Sequence, residues 1–355
     1  MDAVLTAMVD DRIGPGKCSA VLLQTAKEHL GFDFAIAPRS PAAALSVALS
    51  ALGLVDGDIV LLSALSPRYY LRVLTELRLK PVYCDVSSLS FPCMGRENIE
   101  KTLAMTQTGV SSPKALLLHH TLGFVPDTAD IAALGIPVIE DVSASFRPPV
   151  SVRDEGTPDK GDSGDTEAER AGPETRERAH GVFSLLGLEE RDLLTSGGGA
   201  ILFAMARRDA SVLRDHSDLP PEYCLPDINA SLAGVQFKEA ERNLARRGEI
   251  AGIYTRASLR TRHGRFLALN GLPYNDYAFP LVLESSVKDV MDYARKKDIA
   301  VERAFDYTLV AAGAVDSGTC PTSHSLALRT VLFPLYPRLR SAETERVSKL
   351  IMTLP

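Results

Sequence analysis

The residues best able to carry chemistry lie in two stretches. The first is Pro137 to Asp141, PVIED, where a short apolar run ends in the acidic pair Glu140-Asp141. An acidic residue at a strand end is common, and it can equally face a ligand. The second is Gly181 to Ala204, GVFSLLGLEERDLLTSGGGAILFA. A β-like start at Val182-Phe183 leads past Ser184 into a polar middle containing Glu189, then to Gly197-Gly198-Gly199 and a second apolar run. This reads as strand, loop, tight glycine turn, strand. A nucleophilic amine is missing here, since no lysine occurs between Lys160 and Lys238. The five cysteines, Cys18, Cys84, Cys93, Cys224 and Cys320, are scattered without a CxxC pair, which points to reduced structural thiols and no metal site.

The elements that must position these residues follow from the rest of the chain. At 355 residues there is room for one large domain and a smaller one, with 45% hydrophobic and 24% charged residues. The net charge of -6 gives no basic face for nucleic acid or for an anionic membrane. No apolar run reaches the roughly 18 residues of a transmembrane helix, and the acidic N-terminus lacks the basic region of a signal peptide, so a cytoplasmic location is expected.

Ser40 to Leu52 predicts a helix with Pro41 in its first turn and Gly53 as its stop. Strands are predicted at 59–62, 81–86, 115–119 and 137–140, with helices at 69–79, 98–105 and 128–134 between them. This alternation means βαβ units and a mostly parallel sheet. Pro148 to His180 breaks the rhythm, being rich in Gly, Pro, Asp, Glu and Arg and almost without aliphatic residues. Its composition predicts a disordered acidic surface insertion open to proteolysis, with docking of a basic partner as the alternative use. Ser231 to Ala257 predicts a long helix. Beyond it, a strand at 277–283 and helices at 287–297 and 341–352 predict a small α+β domain. The domain reading is therefore 1–147 with 181–258, an insertion at 148–180, and 259–355.

Six segments in order resemble the DegT/DnrJ/EryC1/StrS sugar aminotransferase family: AALSVALSALGLVDGD, KPVYCDV, HTLGFVPD, IPVIEDVSASF, DINASLAGVQF and TVLFPLYPRL. Phe183-Ser184 and Gly198-Gly199-Ala200 resemble the ends of the family's cofactor-lysine segment. The resemblance implies a fold type I PLP-transferase scaffold, a three-layer α/β/α domain with a small C-terminal domain, and a homodimer with its site at the subunit interface. Such a site needs a lysine for the Schiff base, a carboxylate opposite the pyridine nitrogen, a phosphate cradle and a flat group over the ring.

Matched to the family's motifs, Asp141 stands at the pyridine carboxylate and Ser184 at the phosphate-binding serine. Glu189 stands at the lysine. The phosphate turn falls on Pro41-Ala42-Ala43, the ring-facing glutamine on Ala144, an aromatic pair on Leu65 and Pro67, and the partner-supplied asparagine on Glu222. His120 matches a structural histidine. The matched positions imply a degenerate homologue without transaminase activity and without bound PLP, acting as a scaffold or allosteric partner. Two alternatives stay open: an active PLP enzyme using Lys160 or Lys238, and a binding protein for a nucleotide-sugar or another anion.

Overall fold

The computed structural model describes residues 2–9, 13–106, 112–147, 181–269, 272 and 274–355. The predicted insertion, 148–180, with Lys160 and His180, lies outside the described residues. Seven strands form the main sheet: β1 (Phe34–Ile36), β2 (Ile59–Ser63), β3 (Lys80–Cys84), β4 (Ala115–His119), β5 (Val138–Asp141), β6 (Phe183–Gly187) and β7 (Ala200–Ala204), in the order β1-β7-β6-β5-β4-β2-β3. The pairs from β3 through to β6 are parallel, and β7 runs antiparallel to both its neighbours. Strands β2, β5, β6 and β7 are buried at every residue, as strands of a sheet covered on both faces should be, and β5 carries the acidic pair Glu140-Asp141 into that interior.

Helices cover both faces. Helices 41–51 and 69–76 pack over one side with Leu45, Leu49, Tyr70 and Leu74 in the core. Helix 17–30 and the long helix 227–258 close the other around Leu186, Ile201, Phe203 and Phe237. A second sheet, β8 (Phe279–Val282), β10 (Thr330–Phe333) and β9 (Glu302–Arg303), is antiparallel and packs with helices 287–295 and 341–352. The long helix serves both cores: Ala233, Phe237 and Ala240 face the main sheet, whereas Ile250, Ala251 and Tyr254 join the second. This is the α/β architecture of a seven-stranded, mostly parallel sheet with a small antiparallel C-terminal sheet.

Local chemistry fixes the ends that matter for the site. Ser40 caps helix 41–51, its Oγ accepting the Ala43 N–H at 3.2 Å, while Pro41 fills the first helical position, which needs no N–H. Gly53 follows at φ 73°, a left-handed conformation that stops the helix. Gly197, Gly198 and Gly199 all have positive φ, so the turn into β7 is open only to glycine.

Several elements escape the sequence pattern, among them helix 2–9 and the strands β9 and β10. The edge strand β1 is only three residues long, and helices 207–215 and 321–329 are mostly polar runs burying two residues each. Elsewhere the observed ends differ by a few residues. Helix 69–76, for example, stops before Arg78, which adopts φ 54°.

Candidate functional site

A cavity of about 390 Å³ opens where β4, β5 and β6 end, beneath the start of helix 41–51 and against the loop after β9. That volume is at the small end of ligand sites, which run from roughly 300 to 1,000 Å³. Asp141 is its most buried acidic group. Its carboxylate accepts the Tyr70 hydroxyl at 2.7 Å, the Tyr69 hydroxyl at 3.3 Å, the Ser143 N–H at 3.1 Å and the Ser143 hydroxyl at 2.5 Å. His119, one strand over, brings Nδ1 to 3.5 Å from Asp141 Oδ2 but has no hydrogen-bond partner there. Burial opposes ionisation of Asp141, yet His119, Ser143 and Tyr70 outweigh it and hold the carboxyl well below the usual carboxylate range. Burial and the Asp141 charge together raise both tyrosines well above an ordinary phenol.

The loop after β6 brings two more carboxylates to the same cavity, Glu189 and Asp192. Asp192 Oδ2 accepts the Glu189 N–H at 2.7 Å and packs so closely on Gly187 that a Cβ there would lie 2.2 Å from it. Burial, then the neighbouring charge of Asp141, pushes the Asp192 carboxyl up to about 7. Tyr277 is pushed up to about 12 by burial and by Asp192, and its hydroxyl donates to the Arg191 carbonyl at 2.5 Å. At the mouth the Arg191 guanidinium lies 3.8 Å from the Tyr307 ring centroid, and that of Arg68 lies 5.5 Å from it. Arg191 also reaches the Tyr307 hydroxyl at 2.8 Å and Glu302 at 3.3 Å.

The structure gathers most of the positions singled out in the sequence. Asp141, Glu189, Pro41, Ala42, Leu65, Pro67 and Ala144 all border this one cavity. Ser184 does not: it sits inside β6, with its hydroxyl buried and without a hydrogen-bond partner. Glu222 lies exposed in a short turn, and Lys238 is exposed on the long helix. Among the described residues no lysine borders the cavity. His120 belongs to a separate buried group, with Nδ1 2.6 Å from the Ser145 hydroxyl and Nε2 3.4 Å from Glu140 Oε2.

Sequence reasoning passed over Asp192, His119, Tyr69, Tyr70, Arg191 and Tyr307. Only Asp192 had a local signal, as an acid three residues beyond Glu189 in the same polar loop. The others meet through the fold.

The helix 41–51 start offers few free donors. Pro41 has no N–H, the Ala43 N–H binds Ser40 Oγ and the Ala44 N–H binds the Ser40 carbonyl. Among the described residues no group of three or more His, Cys, Asp or Glu side chains is placed to hold a metal ion, and all five cysteines are free. No described helix is long and apolar enough to cross a membrane.

The model of the DegT/DnrJ/EryC1/StrS aminotransferase family matches residues 1–160 and 204–352, and the unmatched span includes Glu189, Asp192 and the triple glycine. Among solved structures, the chain is similar to the aminotransferase TlmJ from Streptoalloteichus hindustanus, with 18% identity and a TM-score of 0.80, covering 99% of this chain and 94% of that one. It is similar to a DegT DnrJ EryC1 StrS aminotransferase from Brucella abortus, with 19% identity and a TM-score of 0.81, covering 99% and 93%. It is also similar to DesV of S. venezuelae in complex with a ketimine intermediate, with 16% identity and a TM-score of 0.80, covering 99% and 92%.

Proposed function

Because the chain belongs to the DegT/DnrJ/EryC1/StrS aminotransferase family, we propose that it is a homologue of the PLP-dependent sugar aminotransferases that has given up the transaminase reaction and uses the cleft at Asp141 to bind a ligand non-covalently. The observation that carries this reading is the lining of that cleft: Glu189 and Asp192 stand where β6 ends, and no described lysine is present.

PLP suits this cleft at one point only. Asp141, held ionised, could face a protonated pyridine nitrogen. The rest disagrees. Covalent attachment needs an amine, and the loop after β6 offers carboxylates. A phosphate at the start of helix 41–51 would find Pro41 without a donor and the next turn capped internally. Leu65 and Ala144, at the positions matched to the family's aromatic and ring-facing residues, border the cavity, and neither can stack or donate a hydrogen bond from its side chain.

The residues present instead bind and orient. Tyr69, Tyr70 and Ser143 fix Asp141, Tyr277 braces the loop carrying Arg191, and Tyr307 supports the guanidinium groups at the mouth. The family resemblance implies a homodimer as the working form, which light scattering at micromolar concentration checks.

The test is to incubate wild type and Glu189→Lys with excess PLP, remove free cofactor, reduce with borohydride and map labelled peptides by mass spectrometry. Neither protein is expected to carry label, because the substitution leaves Pro41, Ala42 and Ala144 in place. Each missing charge-assisted hydrogen bond is worth roughly 1.5–3 kcal/mol, so one new amine does not restore tight binding. Label on one specific lysine of the wild type would return the protein to the active PLP enzymes.

A further inference from the structure

We infer that the ligand of this cleft carries a primary ammonium group at one end and a phosphate or carboxylate at the other, the ammonium seated between Glu189 and Asp192 and the anion at Arg68 and Arg191. This rests on the reading of the cleft as a non-covalent binding site.

Charge is segregated within the cavity. Three carboxylates line the cavity: Asp141 is held by two tyrosine hydroxyls, Ser143 and the facing His119, Asp192 accepts only the Glu189 N–H, and neither Glu189 nor Asp192 faces a cation among the described residues. Among the described residues no lysine, arginine or histidine comes within ion-pair distance of the Glu189 or Asp192 carboxylates. Arg191 is adjacent in the chain, but its guanidinium turns away to Glu302 and Tyr307. Charged groups drawn out of water are ordinarily paired. Here Asp192 instead holds on to a proton up to about pH 7. An ammonium group has three donors and a full charge, and it can replace that proton while also meeting Glu189.

The mouth has the opposite sign. Arg191 and Arg68 both border the cavity and both lie against the ring of Tyr307. Arg68 has no carboxylate within ion-pair distance among the described residues, so its charge is available to an anion. A guanidinium pair is suited to a planar carboxylate or to a phosphate face. Leu65, Pro67, Phe305 and Leu332 also line the cavity, and these apolar walls favour a compact body over a second charge.

Calorimetric titration of the full chain tests this with three probes. Glucosamine 6-phosphate has both ends, glucose 6-phosphate replaces the ammonium with a hydroxyl, and O-phosphoethanolamine keeps both ends on a linear body. Glucosamine 6-phosphate is expected to bind at least about tenfold more tightly than glucose 6-phosphate. Asp192→Asn and Glu189→Gln should erase that preference while leaving weak binding of the hydroxyl probe, and Arg68→Ala should weaken both sugars.

At pH 7, titrations in buffers of different ionisation enthalpy should show protons released as the ammonium probe binds, a signal that a general loss of folding does not produce. Preference for the linear probe would keep the same end groups and assign an aminoalkyl body in place of a sugar. Equal affinity for the two sugar phosphates, or no binding of either ammonium probe, overturns the inference and leaves the borohydride result untouched. A borohydride-trapped PLP adduct would instead remove the reading on which it rests.

Discussion

Replacing Asp192 with asparagine should stabilise the protein in neutral and alkaline solution and leave it unchanged at about pH 4. In the folded protein the carboxyl is raised from an ordinary 3.8 to about 7, by burial first and by the charge of Asp141 second. The folded chain therefore binds this proton more tightly than the unfolded chain does. Stability falls as pH rises from about 4 to about 7, and the whole cost is present above that. Three pKa units correspond to at most ~4 kcal/mol. Because Asp192 is only half-buried, and water screens part of the repulsion, ~1–2 kcal/mol is the expected yield.

Asparagine keeps the shape and can still accept the Glu189 N–H with its Oδ1, so packing against Gly187 is conserved. The assay is thermal melting of wild type and Asp192→Asn at pH 4 and 8.5. Each kcal/mol is worth roughly 2–4 °C in domains of 150–250 residues. The variant should melt a few degrees higher at pH 8.5 and within a degree at pH 4. A gain of equal size at both pH values, or none at pH 8.5, would falsify the picture of a carboxyl strained by Asp141.

Other expectations follow from the same geometry. Tyr70→Phe removes the 2.7 Å donor to an ionised carboxylate and should cost about 1.5–3 kcal/mol at pH 7, read by melting. Asp141 behaves oppositely to Asp192: its lowered pKa gives stability that is present above an ordinary aspartate's pKa and is lost as pH falls. Tyr70→Phe should therefore narrow the gap between wild type and variant as the pH drops below about 4. Gly199→Ala places a Cβ at φ 115° and 2.3 Å from the Leu225 side chain, so it should lower stability by about 1–3 kcal/mol, with soluble yield and melting temperature as the readout. Light scattering should give the mass of a dimer at micromolar concentration, and a clean monomer would remove the expected subunit interface.

Much of the scaffold was legible in the sequence because its signals are local. Continuous apolar runs such as Ala115–Leu118 cannot be solvated and become covered parallel strands. Ser40, Pro41 and Gly53 mark the ends of one helix through their own hydrogen bonding and φ preferences. The ordered segments of family resemblance are likewise a property of the string, as is the lack of any lysine between Lys160 and Lys238.

What the chain order could not give is which groups face one another. Tyr70 and Asp141 are 71 residues apart in sequence and 2.7 Å apart in space, because β2 and β5 flank β4 and deliver their ends to one rim. Arg191 and Tyr307, 116 residues apart, meet because the second sheet packs against the loop after β6. The ionisation of Asp192 depends on burial and on a charge carried by a different strand, quantities with no counterpart in residue order. Residue type and spacing thus decided that a carboxylate, and not an amine, follows β6. Only the tertiary structure decided that this carboxylate shares one cavity with two others and leaves a negative floor beneath a positive mouth.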